Sequence, residues 1–106
     1  MFIRDRCEGD RLARVMGEAN ILFMANHGVT VVGESVARAF TDLYYLERAS
    51  MFQVLARSTG GKLRTISESV LAATRKQMAP ELPLIADRHF KALRRILDRE
   101  EPEYRS

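Results

Sequence analysis

A chain of 106 residues with 46% hydrophobic residues has room for one compact core. Its charged residues, 29% of the total, are spread along the sequence, which argues against disorder, and the longest apolar run, Ile21 to Ala25, is too short to span a bilayer. The net charge of +3 raises the idea of a nucleic-acid partner, yet the charges alternate in sign, as in Arg4-Asp5-Arg6 and in Arg94, Arg95, Asp98, Arg99, Glu100, Glu101. A nucleic-acid footprint needs a one-signed stripe or aromatic stacking platforms, so solvated helix faces explain these charges better and no nucleic-acid or membrane partner is expected. The single cysteine, Cys7, suits a reducing compartment, and Met1-Phe2-Ile3 runs straight into charged residues rather than into a secretory signal. Cytoplasm is the expected location.

In chain order, Glu8 to Met16 reads as a short helix with Leu12, Val15 and Met16 on one face and Gly17 as its stop. Ala19 to Ala25 and Val29 to Val32 read as two strands, joined by a tight turn at Asn26-His27-Gly28, so that a hairpin occupies 19–33. Both faces of the first strand are apolar, Ile21 and Phe23 on one and Leu22 and Met24 on the other, which marks a strand covered on both sides. Ser35 is the expected N-cap of a long helix over 36–57. Gly60-Gly61 breaks the chain, Thr65-Ile66-Ser67-Glu68 fits a capping box, and C-terminal helices are expected within 65–98: one from Thr65 to about Ala79, another from about Leu84 to Asp98. Pro102 and the tail are expected to fray. The fold class is α/β: a partial three-layer α/β/α sandwich with a central antiparallel hairpin and flanking helices.

Two strands alone cannot make a stable sheet, and this hairpin would leave two apolar edges unpaired. The missing partners must come from an N-terminal portion or from another chain, so the sequence reads as half a domain.

Few residues could carry chemistry. Cys7, His27 and His89 are the only soft-metal ligands, and no His-x-His, Cys-x-x-Cys or His-Glu-x-x-His spacing occurs. Gly60-Gly61-Lys62 is too short for a phosphate loop. His27 sits at the hairpin tip, where buried strands would hold an imidazole firmly; a lone turn histidine is also an ordinary surface residue. On a helical wheel the apolar face of the long helix contains Val36, Phe40, Leu43, Tyr44, Met51, Val54 and Leu55, with Arg38, Thr41, Asp42, Tyr45 and Gln53 on the polar stripe. Glu47 falls within the apolar face, so it is expected to be buried and satisfied, by an ion pair with an arginine, by backbone N–H groups, or as an acceptor from His27. His89 shares a stripe with Ile85, Ala92, Leu93 and Ile96 and is expected in a core or interface. Cys7 is expected to pack beside the first helix, and Tyr104 could reach a neighbouring subunit.

The stretch Ile21 to Gly33, with Asn26-His27-Gly28 between apolar strands, resembles the class II aldolase/adducin family. Its continuation, Glu34-Ser35-Val36-Ala37-Arg38-Ala39-Phe40 and Leu43-Tyr44-Tyr45-Leu46-Glu47-Arg48-Ala49, resembles the same family. The resemblance implies that residues 1–106 are the C-terminal half of such a domain, a three-layer sandwich, and that His27 is the third histidine ligand of a catalytic zinc. The family's His-x-His pair and catalytic glutamate, and most of its phosphate-binding residues, map to a portion not represented here. Sugar-phosphate members use the zinc for aldol cleavage or epimerisation. The resemblance also implies a homo-oligomer. Two readings follow: a zinc-dependent aldolase-type fragment, inactive alone, whose partner is itself or a missing N-terminal half; or an adducin-like interaction module without metal chemistry. A basic nucleic-acid-binding protein is a distant third.

Overall fold

The computed structural model describes residues 6–105, in the order α1 (Arg6–Met16), β1 (Ile21–Met24), β2 (Gly28–Val31), α2 (Val36–Ser58), α3 (Glu68–Met78), α4 (Leu82–Glu100) and a 3-10 turn at Pro102–Arg105. The class is mixed α/β, mostly helical, with one antiparallel hairpin. The chain divides between Glu34 and Ser35 into two compact units. Among the described residues no helix is long and apolar enough to cross a membrane.

In the first unit α1 closes at Gly17, whose positive φ of 53° lets its N–H turn back to the Ala13 carbonyl at 3.0 Å. The strands pair Ile21 with Val31, Leu22 with Thr30, Phe23 with Val29 and Met24 with Gly28. The Val32 N–H donates to the Asn20 carbonyl at 2.9 Å. Because hydrogen-bonded and non-bonded pairs alternate, that bond puts the main-chain groups of Ile21, Phe23, Val29 and Val31 on the outer edges. No strand among the described residues takes them up. The coverage expected on both faces of β1 is incomplete there: Ile21, Leu22 and Met24 are half-buried, whereas Phe23 is 68% exposed. An uncharged hairpin with open edges is a template for further strands. The isolated chain should therefore self-associate in a concentration-dependent way by light scattering, and a lysine at Phe23 should suppress it; a monomer at every concentration would remove the argument from open edges.

In the second unit Ser35 caps α2 as its sequence predicts: it is extended (φ −150°, ψ 160°) and its Oγ accepts from the Arg38 N–H at 3.1 Å. The face that α2 packs differs from the one the helical wheel selects. Thr41, assigned to the polar stripe, is only 2% exposed, and Ala86 of α4 is equally buried. Small side chains at these positions let two helices approach closely, and the rings of Phe40, Tyr44, His89 and Phe90 close round them at centroid distances of 4.9–5.9 Å. Thr41 Oγ1 and His89 Nδ1 lie 3.2 Å apart, so the polar atoms satisfy one another. Val36, Val54 and Leu55, from the face expected inside, are each more than half exposed.

The remaining helices begin and end slightly differently from expectation. For α3 the cap position is Ser67 rather than Thr65, without a side-chain capping bond. For α4 the helix starts at Leu82, ahead of Pro83, because a proline in the first turn forfeits only an N–H that has no helical partner. The tail does not fray: Pro102–Arg105 turns back so that the Tyr104 hydroxyl and the Arg105 guanidinium both reach the Asp98 carboxylate. Tyr104, which on sequence grounds could reach a neighbouring subunit, donates within the chain to Asp98.

Two measurements check these contacts. Ser35→Ala removes the acceptor for the Arg38 N–H and should cost about 1 kcal/mol of α2 stability in a denaturant titration followed by circular dichroism. The hydrogen bond from Tyr104, and then Arg105, hold the Asp98 carboxyl below its usual range. The tail contact therefore contributes fully above the ordinary Asp value of about 4 and is lost as pH falls through the lowered folded value. Protection of the 103–105 amides, relative to their intrinsic exchange rates, should fall in that acid window, and in Asp98→Asn it should already be reduced at neutral pH.

Candidate functional site

The turn joining the strands is three residues long, Ala25-Asn26-His27. It closes through the His27 N–H, which donates to the Met24 carbonyl at 3.1 Å. Asn26 occupies the third position of that turn with φ 56°, a left-handed conformation that asparagine tolerates better than most residues. Gly28 follows with φ 147°. A Cβ added there would meet nothing within 4 Å, so the glycine is needed for its backbone angle and not for space. Asn26 and Gly28 thus bracket His27 with two positive φ values, and the exposed imidazole is carried at the hairpin tip.

His27 lines a groove of about 540 Å³ within the first unit. Leu12 and Val15 of α1 and Leu22 and Met24 of β1 supply apolar walls, with Phe23 between the latter; Ala25, Asn26 and His27 form one end. The charged lining is a pair from the first turns of α1. Arg11 reaches Glu8 one helical turn away, Nε to Oε2 at 2.8 Å and Nη2 to Oε1 at 2.5 Å. That hydrogen bond lowers the Glu8 carboxyl from its usual range. The groove therefore combines an apolar floor, one imidazole, one amide and a closed ion pair.

The other residues singled out lie elsewhere. Glu47 is solvent-facing, with its side chain 68% exposed, and its nearest cation is Arg48 at 3.8 Å. The expected burial of Glu47 is overturned, and with it the idea that this carboxylate aligns His27: it stands in solvent beyond the stretch of α2, around Phe40, Thr41 and Tyr44, that packs against α4. His89 belongs to the α2–α4 contact, as its place on the apolar stripe of α4 predicts, although Ile96 of that stripe is 44% exposed. Cys7 is not packed beside the first helix; it lies within α1 and is exposed. Among the described residues no three His, Cys, Asp or Glu side chains are grouped to hold a metal ion. The Glu8–Arg11 pair escaped sequence reasoning. Its i, i+3 spacing on a helix was legible, but Glu8 and Arg11 stand in a run of alternating charges that reads as solvated surface.

The family match falls on this same part of the chain, whereas the relatives match nearly all of it. Residues 3–54 match the family described as Class II Aldolase and Adducin N-terminal domain. The matched segment takes in α1, the hairpin and most of α2, with the Asn26-His27-Gly28 turn near its middle. A protein of Pseudomonas aeruginosa named for class 2 aldolases is 34% identical over 102 residues, covering 92% of this chain and 39% of its own length. A protein of Caulobacter vibrioides with the same kind of name is 32% identical over 98 residues, covering 92% of this chain and 38% of its own. The chain spans about two fifths of the length of these relatives. No solved structure matches it.

The turn geometry makes a specific forecast. Asn26→Val puts a β-branched residue at φ 56° and should destabilise the hairpin by about 1–2 kcal/mol, whereas Asn26→Gly should leave it within a few tenths. Equal losses for both, measured in parallel denaturant titrations, would mean that the asparagine side chain and not the backbone angle holds the turn.

Proposed function

We propose that this chain supplies the C-terminal half of a zinc-dependent class II aldolase-type domain, is inactive alone, and contributes His27 as one metal ligand to a site completed by a His-x-His pair and a catalytic acid from the remaining portion. The observation that carries the reading is the position of His27. It is held by two positive-φ neighbours at the end of a groove, inside the segment that matches the family. The relatives' additional length, about three fifths of each, is enough to hold the other ligands and the strands that the open hairpin edges would accept. In the completed domain the bound zinc would polarise a sugar-phosphate carbonyl for aldol cleavage or epimerisation. This chain's own part is to present an imidazole at the hairpin tip, its backbone set by the turn, beside the apolar wall of Leu12, Leu22 and Met24. A homo-oligomer in the cytoplasm belongs to the same reading.

The family description names adducin as well as the aldolases, which supports a second reading: an interaction module that keeps the fold without metal chemistry. Metal content separates the two. The 106-residue chain alone should bind no stoichiometric zinc. Joined to the complementary portion of a class 2 aldolase relative it should bind one equivalent, and His27→Ala in that assembly should weaken binding by more than the roughly 10–100-fold that loss of an outer-shell partner costs. Unchanged zinc affinity in His27→Ala would refute the proposed ligand, and an assembly that folds without taking up metal would favour the interaction module.

A further inference from the structure

We draw no further inference here: the strongest candidate, the exposed surface patch formed by the last two turns of α2, the loop through Gly60-Gly61 and α3, with Phe52, Leu55, Leu63, Ile66 and Val70 open beside Arg57, Lys62 and Arg64, is an unpartnered face for which nothing in the structure shows what covers it.

Discussion

A strand paired on one side satisfies only alternate main-chain groups; the others point outward and must find water, another strand or a covering element. In this chain that constraint falls on Ile21, Phe23, Val29 and Val31, residues whose side chains are all apolar. Leaving them to water forgoes both the ladder and the burial that such a sequence is suited to. The first unit is accordingly a two-stranded sheet with one helix beside it and both outer edges open among the described residues. Its geometry is most sharply specified where main-chain bonds close locally, at Gly17 and through Asn26 to Gly28.

That local closure is what gives the histidine its place. A side chain on an open loop would sample many directions. His27 instead follows a left-handed asparagine, donates its N–H to Met24 and precedes a glycine at φ 147°, so its Cα is set by the hairpin. α1 builds the opposite wall, with Leu12 and Val15 apolar and Glu8 and Arg11 neutralising one another. A closed ion pair contributes little net field to the groove, since its two charges face each other at bonding distance. The groove thus carries an apolar shape and one imidazole with little net charge.

The second unit is organised by a different interaction. Thr41 and Ala86, both small, mark the deepest contact between α2 and α4, and the Thr41–His89 pair spans elements far apart in sequence. The other side-chain hydrogen bonds described are local, at most six residues apart. The part-buried Thr41–His89 contact, beside the rings of Phe40 and Tyr44, favours the rotation of α2 that turns Thr41 inward. That rotation turns Glu47 outward and leaves Val54 and Leu55 uncovered. Relatives that extend well beyond this chain have the length to cover such faces, and the segment that matches the family ends at residue 54, within α2.

Period and punctuation were sufficient to read α1, the hairpin, the Ser35 cap and α2 from the amino acids, because caps, glycines and alternating apolar residues act through neighbours in the chain. The turn was legible to within one residue for the same reason, expected at 26–28 and formed at 25–27: its constraint, at Asn26 and at Gly28 just after it, is a backbone angle that few residues tolerate. Tertiary packing decided what hydrophobicity could not. The wheel of α2 weighted Leu43, Val54 and Leu55 over Thr41, yet closeness of approach to Ala86 and a hydrogen bond to His89 placed the threonine inside. The tail's return to Asp98 and the sharing of a groove by Glu8, Arg11 and His27 likewise depend on distances through space, which a linear order of residues does not contain.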